Sequence, residues 1–179
     1  MQEVVVRGMR VEDIPAVLEI QSLCYDATKL ESEESFLAKL NASPASCFIA
    51  MLAEGPAGYL VSVPIEAHNP PPLNSPVYLV PRVPDSLYLH DLAVHGRARG
   101  SGVASALIQA YFNKLRQLGL RLACLTAVNE SVAYWERYGF RVVAPVGSVA
   151  GRMATYGDGA RYMRLALGRH TRTFNEELS

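Results

Sequence analysis

The residues best able to do chemistry are gathered in one stretch, LHDLAVHGRARGSGVA, at positions 89–104. A strand-like run, 87–94, enters a loop of glycine and arginine, and a helical pattern comes next. A helix N-terminus presents unpaired N–H groups and the positive end of its dipole, a combination that binds phosphate. Gly100 and Gly102 carry no Cβ and let the backbone approach a ligand closely. Arg97 and Arg99 add charge nearby. Upstream, His90 is of the residue type whose reference pKa of about 6.5 suits a general base, with Asp91 as the adjacent carboxylate. Strand alternation puts Tyr88, His90 and Leu92 on one face and Asp91 on the other.

The elements that must position these groups are legible on both sides. Residues 3–7 read as a strand, 11–25 and 33–40 as helices, and 47–53 and 58–65 as a hairpin turning at Glu54-Gly55-Pro56. Six of the eleven prolines fall within 66–84. Proline lacks the N–H and fixes φ, so this is a long loop, of the kind that is usually functional. Residues 102–118 form an amphipathic helix with Val103, Ala106, Leu107, Ala110, Tyr111 and Leu118 on one face, ended by Gly119. Strand 122–128, helix 131–138 and strands 140–146 and 161–167 complete the chain. The order β-α-α-β-β-β-α-β-α-β-β suits a mixed α/β sheet covered by helices.

Three phosphate-binding patterns compete for the loop. A P-loop needs GxxxxGK[ST], which does not occur. A dinucleotide fingerprint needs a third glycine where Ser105 stands, and an acid about 20 residues later, where 117–123 has none. The remaining pattern is R-x-x-G-x-G, filled by Arg97, Gly100 and Gly102. After it come a strand and then NESVAYWERYGF at 129–140. In this series the chain resembles the GNAT superfamily of acetyl-CoA-dependent N-acetyltransferases. The LHDLAVH string is also similar to arylalkylamine N-acetyltransferase.

The resemblance implies a mixed, mostly antiparallel sheet of about seven strands, splayed between the fourth and fifth and flanked by about four helices. It implies one domain over 1–170, with 171–179 as a tail. Acetyl-CoA would be the co-substrate: Leu92, Ala93 and Val94 would face its pantetheine arm, and Arg97, Arg99, Gly100, Ser101, Gly102, Val103 and Ala104 its pyrophosphate. Asn129, Ser131 and Trp135 would complete its site. His90 is then a base candidate, although a structural hydrogen-bonding role suits it equally, with Asp91 as the alternative. A backbone N–H of Leu92 or Val94 would stabilise the oxyanion. Trp135 occupies the position where the family commonly carries the tyrosine that protonates the thiolate. The stretch is one residue shorter than the common pattern, so Tyr134 is the catalytic candidate, with water as the alternative.

The acceptor would meet Tyr25, Tyr78 and Tyr88, near the acids Asp26, Glu31, Glu33 and Glu34. These attract a cationic amine, or are simply helix-start acids. The expected acceptor is a small-molecule primary amine, such as an arylalkylamine or polyamine; a protein amine is the alternative. An acyl-CoA-binding protein without turnover is the reading from a different class. Half of the 179 residues are hydrophobic and 19% charged, which excludes a disordered chain. Residues 1–60 hold nine acidic side chains against four basic ones, whereas 95–172 hold twelve basic against three acidic. The net charge is zero, which suits one local polyanion and argues against nucleic acid as partner. No apolar run reaches a membrane span and no signal peptide is evident, so no membrane partner and a cytoplasmic address are expected. Cys24, Cys47 and Cys124 form neither a disulfide framework nor a metal site, and His68, His95 and His170 lack ligand spacing with a second donor. A homodimer is the admissible assembly.

Overall fold

A computed structural model describes residues 3–168; the expected tail, 171–179, and His170 lie outside them. Seven strands form one sheet in the order β1-β2-β3-β4-β5-β7-β6. They are β1 (Val5–Gly8), β2 (Cys47–Leu52), β3 (Gly55–Ile65), β4 (Ser86–Val94), β5 (Leu122–Ala127), β6 (Arg141–Val142) and β7 (Arg161–Ala166). The helices are α1 (Ile14–Cys24), α2 (Glu33–Ala42), α3 (Val103–Gln117), α4 (Val132–Glu136) and α5 (Ser148–Met153). Every pairing is antiparallel except β4 with β5. The expected sheet is present, with one helix more than expected. No helix among the described residues is long and apolar enough to cross a membrane.

Alternation along the central strands divides the core. Leu60, Leu87, Leu89, Ala123, Leu125 and Met163 face α3 and Trp135 of α4. Tyr59 and Val61 face α1 and α2, while Val63, Tyr88, Cys124 and Tyr162 face α5. Val103, Leu107, Ile108, Tyr111 and Leu115 of α3 are buried, each stabilising the fold by about 1.5–3 kcal/mol. Leu118, expected on that face, is 45% exposed. It lies past the last turn, where Leu120 N–H donates to the Leu115 carbonyl and Gly119 sits at φ +68°. Gly58 lets α3 come close: a Cβ there would lie 2.8 Å from Val103 Cγ1 and 2.9 Å from the Ala93 carbonyl.

Two departures from the sequence reading shape the site. Strand β6 has only two residues, because Pro145 cannot extend a ladder. The chain instead forms α5 and a 3-10 turn, Ala154–Tyr156, burying Val149, Met153 and Tyr156. Strand β4 carries a bulge: Val61 opposes Asp91 and Ser62 opposes Leu89, leaving His90 as the extra residue. A bulge breaks simple alternation. His90 and Asp91 therefore both meet groups on the α1/α2 side, and Leu92 packs with the α3 core. The expectation that Leu92 shares a face with His90, with Asp91 opposite, is corrected accordingly.

Candidate active site

The parallel pairing runs only from Ser86 opposite Leu122 to Leu89 opposite Leu125. Beyond it β4 and β5 part, as expected of the splay, and a cavity of about 210 Å³ opens. Leu89, His90, Asp91 and Leu92 line it from β4, Leu125 and Thr126 from β5, and Asn129, Ser131, Tyr134 and Trp135 from the turn after β5 and from α4. Asn129 and Glu130 are consecutive non-glycine residues with φ of +51° and +57°. Backbone strain of this kind clusters at ligand sites.

A second, wider concavity adjoins the start of α3, lined by Val94, Arg99, Gly100, Gly102, Val103 and Ala104 and, from the α4 side, by Tyr134 and Arg137. Gly100 and Gly102 have φ of +77° and +87°, and a Cβ on either would project into open space. Ser101 Oγ donates to the Ala98 carbonyl at 2.6 Å. The residues fit a phosphate-bearing cofactor: backbone N–H groups of a 15-residue helix, two left-handed glycines and the guanidinium groups of Arg99 and Arg137. Arg97 is not part of it. Its Nη2 donates to the Pro56 carbonyl at 2.6 Å, and its N–H is capped by His95 Nδ1 at 3.1 Å. Sequence reasoning missed Arg137, whose guanidinium lies 4.9 Å from the Tyr134 ring centroid. The signal was its spacing of three from Tyr134 on a helix.

Tyr134 lines both spaces, and its hydroxyl lies 3.4 Å from that of Tyr138. Burial raises its phenol pKa, so it stays protonated at neutral pH. Trp135 is 7% exposed and packs edge-on against Phe140, at 5.8 Å between centroids.

The polar centre of the cavity is a buried network around Glu31, which the sequence offered only as one acid of a cluster. Its neighbours Glu33 and Glu34 are exposed, whereas Glu31 is 4% exposed. Gln21 fixes its backbone from both sides, at 2.6 and 3.0 Å. Glu31 Oε2 accepts from Lys39 Nζ (2.9 Å), Ser35 Oγ (2.7 Å) and the Asn74 N–H (2.9 Å), and Oε1 lies 2.6 Å from His90 Nε2. Burial opposes ionisation of Glu31, but His90, Lys39 and Ser35 outweigh it and hold the carboxyl well below the usual range. The proline loop thus supplies one donor, Asn74. It also supplies the Pro71 carbonyl, 3.1 Å from the Tyr156 hydroxyl, which lies 3.3 Å from His90 Nδ1.

The three tyrosines named from sequence part company. Tyr25 lines the cavity, its hydroxyl 2.7 Å from Asp91 Oδ1 and 2.9 Å from the Leu92 carbonyl. Tyr88 is fully buried behind His90 and donates to Thr126 Oγ1 at 2.7 Å. Tyr78 donates to the Pro64 carbonyl and lies along α2, outside the cavity. Ala93 turns its side chain into the α1 core, and Val94 accepts from Cys24 Sγ at 3.3 Å. Tyr156, in a segment with no sequence signal, takes the place at the cavity expected of Tyr88.

A family model for the acetyltransferase (GNAT) family matches residues 14–140. The chain belongs to that family. It is an acyl-CoA-dependent acetyltransferase with acetyl-CoA as co-substrate, and the cradle at α3 and the splay beside it lie within the matched residues. No curated protein sequence matches the chain. Among solved structures, this acetyltransferase is similar to Ard1 from Thermoplasma volcanium, with 18% identity, TM-score 0.70, and 92% of this chain and 98% of that one covered. It is similar to the loading GNATL domain of CurA from Lyngbya majuscula, with 10% identity, TM-score 0.75, and the same coverages. The third is the ribosomal-protein-S18-alanine N-acetyltransferase from Escherichia coli, with 17% identity, TM-score 0.64, and 99% of each chain covered. At these identities the likeness is one of fold.

Proposed function

We propose that this acetyltransferase acetylates a small-molecule primary amine, of the arylalkylamine type, by direct attack of the amine on the thioester. The observation that carries the reading is the pairing of His90 with the buried Glu31 carboxylate in a cavity of about 210 Å³. That volume suits a small acceptor, and Tyr25, Leu73, Trp135 and Tyr156 along its wall suit an aromatic one better than a polyamine.

Acetyl-CoA supplies an activated carbonyl. Arg99, Arg137, Gly100, Ser101, Gly102, Val103 and Ala104 bind its phosphates, and Leu92, Val94, Asn129, Ser131 and Trp135 face its arm. The Leu92 N–H is the oxyanion donor. Glu31 holds the Nε2–H of His90, leaving Nδ1 as the basic nitrogen. The Tyr156 hydroxyl serves both states of that nitrogen: it donates to Nδ1 when His90 is neutral, and turns to the Pro71 carbonyl when His90 has taken the proton. Tyr134 carries the proton for the departing thiolate, because it alone of the aromatic pair has an O–H. Three free cysteines fit a cytoplasmic address.

The test is acetylation of a panel of arylalkylamines, polyamines and N-terminal peptides, with the parent and His90→Ala. Arylalkylamines should be the best acceptors, and the variant should lose about 100-fold in kcat with acetyl-CoA affinity retained. Preference for peptides would overturn the small-molecule reading, and an unchanged pH–rate profile in His90→Ala would remove His90 as the base.

A further inference from the structure

Asp91 sits at the bulge with three short contacts around it, and their hydrogen atoms can be counted. Tyr59 Oη lies 2.5 Å from Asp91 Oδ2, and Tyr25 Oη lies 2.7 Å from Asp91 Oδ1 and 2.9 Å from the Leu92 carbonyl. The two hydroxyls own two protons for three contacts. With an ionised Asp91, Tyr25 must share its one proton between two acceptors in a bifurcated bond. With a proton on Oδ1 every contact closes: Asp91 donates to Tyr25, Tyr25 to the Leu92 carbonyl, and Tyr59 to Oδ2.

We propose that Asp91 is a carboxylic acid in the working protein, and that its proton seats Tyr25 on the Leu92 carbonyl and so fixes the β4 bulge. Asp91 is then a positioning residue, not the alternative base suggested by its sequence neighbourhood. The surroundings agree. Tyr25 and Cys24 face it from the end of α1, Tyr59 from β3, His90 on its own strand, Glu31 from the segment before α2 and Tyr156 from the turn after α5. Among the described residues none forms an ion pair with it. Burial, reinforced by the Glu31 charge, outweighs the tyrosine hydrogen bonds and His90, and raises its pKa.

This inference deepens the acetyltransferase reading, but its main test needs neither acetyl-CoA nor an acceptor, so either can fail alone. Melting temperatures of the parent and Asp91→Asn are compared from pH 4 to pH 8. In the unfolded chain Asp91 ionises near pH 3.9, so above that pH the parent must bind a proton to fold, whereas asparagine, a neutral mimic, need not. The variant should match the parent near pH 4 and melt progressively higher than it as pH rises. No gain, or a loss that grows with pH, overturns the proposal. Should Asp91→Asn not fold, infrared spectra of the parent labelled with ¹³C-aspartate should show a protonated carboxyl band at pH 7, and its absence would overturn the proposal. In turnover, Asp91→Asn should recover most of what Asp91→Ala loses; equal loss in both would make Asp91 an ionised participant.

Discussion

Replacing Glu31 with glutamine tests whether the network at the cavity is held by charge. The substitution keeps the shape and removes the negative charge on which Lys39 Nζ and His90 Nε2 converge. Lys39 is the more exacting partner, since its side chain is 0% exposed and its other hydrogen-bond partners among the described residues are the carbonyl and hydroxyl of Ser35. An ammonium left buried without its counter-charge costs about 3–5 kcal/mol, out of a total stability of about 5–15 kcal/mol. At about 2–4 °C per kcal/mol for a chain of this size, Glu31→Gln should melt roughly 6–20 °C below the parent. Adding Lys39→Met should recover most of the loss, because an apolar replacement of a buried pair is close to neutral. The folded pKa of Glu31 is depressed, so its stabilisation is complete above the unfolded value of about 4.3 and is lost as pH falls through the folded one. The gap between parent and Glu31→Gln should therefore narrow in acid. Thermal denaturation by circular dichroism at pH 7 and pH 3 reads all of this. A Glu31→Gln protein melting within about 3 °C of the parent at pH 7, or a double variant no better than the single, would refute the charge argument.

Acetyl-CoA at 100 times its Kd should stabilise the parent by about 2.7 kcal/mol. Gly102→Val should abolish that shift, since its side chain would enter the cradle at a φ of +87°; an equal thermal shift in both would show the cradle misassigned. Tyr134→Phe should slow the single-turnover rate at saturating acetyl-CoA, whereas Trp135→Phe should chiefly disturb packing, with full activity in Tyr134→Phe removing that hydroxyl from the chemistry. Gly58→Ala should destabilise the fold by about 1–3 kcal/mol, because its Cβ meets Val103 and the backbone of β4. Chemical denaturation measures it, and an unchanged midpoint would mean that α3 yields without cost.

The features legible in the chain were local ones. The left-handed glycines at 100 and 102, the start of α3 and the stop at Gly119 are written in adjacent residues, and so was the cradle. Glu31, Tyr156 and Arg137 were not, because each reaches its place only through the fold: Glu31 meets His90 59 residues away, Tyr156 meets it 66 away, and Arg137 reaches the α3 cradle from the far side of the splay. The bulge at His90 has no marker in its own strand. It moved Asp91 to the face opposite the one alternation gives, and Asp91 there found two tyrosines. Arg97 has the right residue type and spacing, but the Pro56 carbonyl captures its guanidinium.

The short β4–β5 pairing has a consequence for the sheet. Four residue pairs hold these parallel strands, and from Leu92 to Val94 the side of β4 turned towards β5 has no strand beside it. The sheet thus contains an edge in its middle, one whose carbonyls at Leu92 and Val94 are already taken by the Tyr25 hydroxyl and the Cys24 thiol. Tyr25 and Cys24 thus cover this inner edge as side chains or loops cover an outermost strand, and a neighbouring chain that would add a strand there has first to displace them.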